Sequence, residues 1–179
     1  VLASGALRIT PGLPSWKEEA LDALGPAEFL KVGMRLAASV PEAAEFAVDL
    51  AAVDAGEAAL LHIDPRMPVA SVLFAGSHAE ALRAEGRRAT QTAARAVLRH
   101  HIGVDAVAVD SHDWAADPFS RGPWARPVPG ADTAREDYAA PIDGRLFFAG
   151  EAAPGPLATT LGGAWQSGID AAGEIWEAT

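Results

Sequence analysis

Apolar and polar positions alternate without a break in EFLKVGMRL, from Glu28 to Leu36. Leu30, Val32, Met34 and Leu36 form one set, and Phe29, Lys31, Gly33 and Arg35 the other, the period-two pattern of a strand with one buried face. The first set is the core side, which leaves Lys31 on the opposite side in mid-strand. Ahead of this strand, GALRIT (Gly5 to Thr10) reads as a strand end and PGLP as a turn. SWKEEALDAL reads as a helix with Ser15 as N-cap and Glu18 completing a capping box. Its apolar positions Trp16, Ala20, Leu21 and Leu24 share a face, and Gly25-Pro26 ends it. Three apolar runs between Glu45 and Gly76 (FAVDLAAV, AALLHI and PVASVLFAG) predict three strands of an antiparallel or mixed sheet. The period then turns helical from Ser77, with Gly86 as an interruption and Gly103 as a C-cap. VDAVAVDSHDW returns to strand. The stretch from Ala115 to Tyr138, with four prolines and two glycines, is loop-rich. RLFFAG predicts a last short strand, and Thr160 to Ala178 a final helix. Strands alternating with helices give an α/β or α+β fold.

Composition narrows the function without naming it. A formal charge of −10 argues against nucleic acid, because a phosphate backbone needs a basic surface. No uninterrupted apolar run approaches eighteen residues, so no membrane span is expected, and the expected location is cytoplasmic. The chain has no cysteine, which excludes disulfides and thiolate chemistry. It opens on Val1, and VLASGALRIT is neither a basic leader nor a long apolar segment; the expectation is a fragment, a processed subunit or a partial reading frame.

Several motifs tempt and fall short. His100 and His101 are neighbours on a helix, about 100° apart, and suit its C-terminal dipole better than a shared metal. His62, His78 and His112 lack partners at ligand spacing, so no metal is expected. DSHD (Asp110 to Asp113) contains Ser, His and Asp, but strand neighbours face opposite sides and form no triad. LGGAWQSG lacks the dinucleotide spacing of glycines, and no phosphate-binding lysine loop occurs. Its small residues Gly163, Ala164, Ser167, Gly168, Ala171 and Ala172 suit close helix packing. A helix N-terminus facing an electron-rich ligand suits them equally. Glu151 follows an apolar strand and Gly150 at a carboxyl end, where α/β sheets hold ligands and a carboxylate can accept from sugar or ribityl hydroxyls. Alone, it also reads as a solvated loop carboxylate.

Four stretches, in order, resemble the flavin-containing amine oxidases, the family of monoamine oxidases, polyamine oxidases and lysine-specific histone demethylases. SGALRITPGLPSWKEEALDALG is similar to the family's strand end, proline turn and helix. FLKVGMRL is similar to the strand carrying its near-flavin lysine. WAADPFSRGPWARPVPGAD resembles its tryptophan loop, and RLFFAGEAAPGPLATTLGGAWQSGIDAA its closing motif. The resemblance covers essentially the whole chain but only the C-terminal two-fifths or so of a typical member. It implies the C-terminal part of an FAD-linked amine oxidase fold: a mixed-sheet substrate domain plus the final strand and helix of the Rossmann-like FAD domain. On that basis residues 1–125 are the substrate-domain portion with part of the FAD-domain return, and 126–179 the C-terminal FAD-binding segment. The N-terminal FAD-binding half, with its glycine-rich loop, is then the missing partner.

The resemblance also implies roles. Lys31 would be a desolvated lysine holding a water against flavin N5. Trp124 would form one wall of the substrate cage, these two being the catalytic positions. Trp114 would line the flavin ring, and Glu151, with Gly150 before it, would hold the sugar and ribityl-phosphate portion. Thr160 and Leu161, with Ala164 on the same helix start, would face the pyrimidine edge, where the helix dipole favours negative charge on the reduced ring. Pro123 stands where some members bond the flavin through cysteine, which implies noncovalent FAD. At Thr160 the second cage aromatic of monoamine oxidases is absent, and between Leu36 and Ala55 so is the usual FW pair; both reshape the substrate pocket. The implied reaction oxidises a small-molecule amine to an imine, with oxygen reoxidising the cofactor to give hydrogen peroxide. The alternatives are a related flavin desaturase or protoporphyrinogen-type oxidase, or a chain that acts only when joined to the dinucleotide-binding half.

Overall fold

The computed structural model describes residues 2, 5–40, 46–48 and 59–178. They fall into two units, one of residues 28–117 and the other of 1–27 with 118–179. These boundaries lie at 27/28 and 117/118, whereas the sequence reading divided the chain once, after residue 125.

In the first unit the alternation of β2 (Phe29–Arg35) is reproduced residue by residue, with Leu30, Val32 and Met34 buried and Lys31, Gly33 and Arg35 exposed. β2 is flanked by β5 (Val69–Ala75) and β6 (Ala108–His112). β4 (Ala59–Asp64) and β3 (Phe46–Val48) follow outward from β5, in the order β3-β4-β5-β2-β6. Every pairing is antiparallel, so of the two sheet types read from the sequence the antiparallel one holds. The helical stretch splits where expected: α2 is Gly76–Glu85 and α3 is Arg87–Ile102. Gly86 (φ +93) joins them, and Gly103 (φ +73) closes α3 in the left-handed region that glycine adopts at least cost. Ala79 and Leu82 of α2, with Ala94 and Leu98 of α3, bury against Val32, Leu61, Val72 and Phe74 of the sheet. One sheet face is therefore sealed by helices, and the other carries Lys31.

The second unit departs more from the sequence reading. Residues 5–10 form turns and bends, and RLFFAG contributes a single bridge, Leu146 to Ile142. A strand exists only by pairing, and neither segment has a ladder partner among the described residues. α1 (Ser15–Ala23) begins one residue early, with Pro14 as N-cap; its carbonyl accepts from the amides of Lys17 (2.9 Å) and Glu18 (3.2 Å). The expected Ser15–Glu18 capping box does not form, because Pro14 already supplies the extended residue ahead of the first turn (φ −67, ψ 153). Trp16 is exposed, whereas Lys17 has no exposed surface at all. Its ammonium donates to the carbonyls of Asp137 (2.6 Å), Tyr138 (2.7 Å) and Ala140 (2.6 Å) at the end of α4 (Ala134–Ala139). It also lies 4.0 Å from the centre of the Phe148 ring. The unit is completed by the two-stranded ladder of β1 (Leu24–Pro26) with β7 (Ala125–Pro127), and by α5 (Leu161–Glu177). The fold class is α+β.

Candidate functional site

In the unit 28–117, Lys31 lies in mid-strand on the sheet face away from α2 and α3, with Leu73 opposite it on β5 and His112 opposite it on β6. It is exposed in this chain. The His112 ring meets the Trp114 ring edge-on, 4.5 Å between centres, and its Nε2 lies 3.1 Å from Asp117 Oδ2. Trp114 follows β6 on a turn that is tied down: Asp113 Oδ1 accepts from Ala115 N (3.0 Å) and from Arg83 Nε (3.2 Å). Arg83 also bonds Glu28, and that hydrogen bond is the main influence raising its guanidinium pKa. Lys31 on β2, His112 opposite it on β6 and Trp114 on the turn that follows form the local frame of this unit's two predicted residues.

The remaining predicted residues lie in the other unit. The Glu151 carboxylate divides its two oxygens. Oε1 accepts from Ala125 N at 2.9 Å, while Oε2 is buried with no hydrogen-bond partner among the described residues. Trp124, next to Ala125, is fixed from the other side by Ala27 N donating to its carbonyl (2.8 Å). Gly150 has φ +140, a conformation L side chains rarely adopt, and a Cβ there would lie 3.3 Å from the Tyr138 hydroxyl. That hydroxyl donates to Ala149 O (3.0 Å), and burial first, then the Glu151 charge, pushes the phenol pKa up. Ser167 Oγ of α5 accepts from Gly150 N (2.9 Å) and lies 3.1 Å from Gly150 O and 2.9 Å from Ala164 O, so the Gly-Glu turn is stitched to the helix.

Thr160 caps α5: its hydroxyl accepts from Gly163 N (3.0 Å) and donates to Leu157 O (2.6 Å). Leu161 is largely exposed at the helix start. The packing reading of the glycines holds at Gly163, where a Cβ would lie 2.0 Å from Leu157 O, and not at Gly168, where nothing is within 4 Å.

Trp124, Gly150, Glu151, Thr160, Leu161 and Ala164 thus share one unit, and Lys31 and Trp114 the other. Arg135, His112 and Ser167 were not singled out as site residues from sequence. Ser167 could have been found as the one hydroxyl on the inner face of α5; Arg135, in a loop-rich stretch, gives no periodic signal. Among the described residues no cluster of three or more His, Asp or Glu is placed to hold a metal ion, and no helix is long and apolar enough to cross a membrane.

The chain belongs to the flavin containing amine oxidoreductases, whose family model matches residues 1–176. Nicotine dehydrogenase of Pseudomonas putida (strain DSM 28022 / S16) is 35% identical over 81 residues, which are 45% of this chain and 17% of that protein. The structure of cyclohexylamine oxidase from Brevibacterium oxydans IH-35A aligns with a TM-score of 0.79 at 22% identity, covering 98% of this chain and 41% of that one. The chain therefore spans well under half the length of either.

Proposed function

We propose that this chain forms the substrate-sheet and closing cofactor-contact portion of an FAD-dependent amine oxidase. Its amine substrate would leave as an imine and oxygen as hydrogen peroxide. When bound, FAD supplies the acceptor for the hydride equivalent from the amine's α-carbon. The observation that carries the site assignment is the buried Oε2 of Glu151, which has no hydrogen-bond partner among the described residues. An unpartnered buried carboxylate oxygen is costly, and a ribityl or sugar hydroxyl is the donor it lacks; the site fits the cofactor on that ground. Gly150 and Ser167 fix the turn that aims this oxygen, and Thr160 orders the helix start beside it. Trp124 would form the aromatic wall that orients an amine by its ring face. Lys31 would hold a water for the oxidative half-reaction, and Trp114 would line the ring. With no cysteine in the chain and Pro123 ahead of Trp124, binding would be noncovalent.

The names of both relatives point to amine substrates, cyclohexylamine and nicotine. The name of the second, a dehydrogenase, favours one variant reading in which the electrons pass to an acceptor other than oxygen. Amine-dependent peroxide release by the complete protein tests the main reading, with Lys31→Met as the diagnostic variant. Its cofactor reoxidation by oxygen is expected to slow by about tenfold or more. Reoxidation at the parent rate would remove the role assigned to Lys31, and turnover only with an added acceptor would establish the variant.

A further inference from the structure

Arg135, on α4, spans two segments far apart in sequence. Its Nη2 donates to Ala125 O at 2.8 Å, and its Nη1 to Ala152 O at 2.9 Å and Glu151 O at 3.4 Å. Residue Ala125 is thus held on both sides of its Cα, by the Glu151 carboxylate at its N–H and by Arg135 at its C=O. Ala125 follows Trp124, whose own carbonyl is held by Ala27. The backbone that sets the direction of Trp124 and the backbone that sets the direction of Glu151 therefore meet at one guanidinium. A planar fork with fixed donor directions holds such a distance where a flexible ammonium would not. Arg135 itself is anchored, because the ammonium of Lys17 binds the carbonyls of Asp137, Tyr138 and Ala140 at the end of the same helix.

We propose that Arg135 is a positioning residue that sets Trp124 against the buried Oε2 of Glu151, so that cofactor and amine binding are coupled through it. The proposal rests on the flavin reading above. A ligand hydroxyl on Glu151 Oε2 would bear on the same carboxylate that Ala125 holds, and the aromatic wall would feel the occupancy of the cofactor site. If Arg135 only stapled the loop, its removal would lower stability and leave both affinities alone.

The experiment compares Arg135→Met and Arg135→Lys with the parent in the complete protein. FAD dissociation is read by flavin fluorescence on titrating the cofactor-free protein, and KM and kcat are measured with cyclohexylamine. The Trp124 contribution to emission of the cofactor-free protein is taken by difference against a Trp124→Phe partner of each. Arg135→Met is expected to raise the FAD dissociation constant and KM by about tenfold each with kcat nearly unchanged, the signature of lost positioning in binding. A red shift of the Trp124 emission should accompany it, and Arg135→Lys should recover part of all three. Parent values of FAD affinity, KM and emission in both variants, with only a lower melting temperature, would overturn the proposal. If Arg135→Met fails to fold, parent values in Arg135→Lys alone overturn it. Glu151→Gln separates the two levels: parent FAD affinity in that variant removes the flavin reading, while the Trp124 emission of the Arg135 variants still decides the positioning.

Discussion

Val32 and Lys17 both have no exposed surface, and each sits at the centre of what holds its unit together. Around Val32 the unit 28–117 is an apolar layer between a five-stranded sheet and two helices. Around Lys17 the other unit is tied by polar threads to backbone carbonyls and amides, from Lys17, Arg135, Glu151, Ser167 and Tyr138. Its apolar cluster is small, with Tyr138, Phe148 and Ala153 as the buried members. The difference is one of specificity. Apolar burial is non-directional and tolerates rearrangement, whereas a hydrogen bond to a particular carbonyl fixes a backbone in place. The directional unit is also the one that carries Glu151, Gly150 and Trp124.

The contrast can be broken at either end. Phe74→Ala empties the sheet-helix layer and should cost about 3–5 kcal/mol in the unit 28–117. Hydrogen exchange should show that loss confined to amides of this unit. Lys17→Met fills a similar volume but strips three carbonyls of their donor, and should cost about 2–4 kcal/mol in the other unit. Its pH signature is distinctive. Burial pushes the Lys17 ammonium down to about 8, partly opposed by Asp137, from an ordinary value of 10.5. Between those two values the unfolded chain holds more protons than the folded one, so the Lys17 contribution to stability rises with pH across that window. Urea unfolding at pH 8 and pH 10.5 should show this rise in the parent and lose it in Lys17→Met. The smallest effect is expected at Ser167→Ala, about 1 kcal/mol in the melting curve, because Gly150 loses one hydroxyl partner while the helix itself persists.

The two units were also unequally legible in the sequence. β2 could be read to the face, because period-two alternation is set by local geometry and the core lies on one side. Gly86 and Gly103 marked the ends of α2 and α3 for a reason equally local, the positive φ each adopts. Lys17 could not be found this way: hydrophobic periodicity places a lysine outside, and three carbonyls some 120 residues away reverse it. The strand expected at RLFFAG failed because pairing depends on a neighbour that the segment's own sequence does not contain. Glu151 was legible only through its motif. Its division between Ala125 and a buried Oε2 depends on the path of β7, which no local pattern in residues 115–138 discloses.

The chain has only two lysines, and they sit at opposite extremes of access: Lys17 has no surface open to solvent, and Lys31 is exposed in mid-strand on the sheet face away from the helices. In a chain without cysteine this makes Lys31 the one side-chain amine that an acylating reagent meets in the folded state. A fluorophore or photocrosslinker placed there by simple amine chemistry, with no engineered residue, would report on whatever comes to lie against that face.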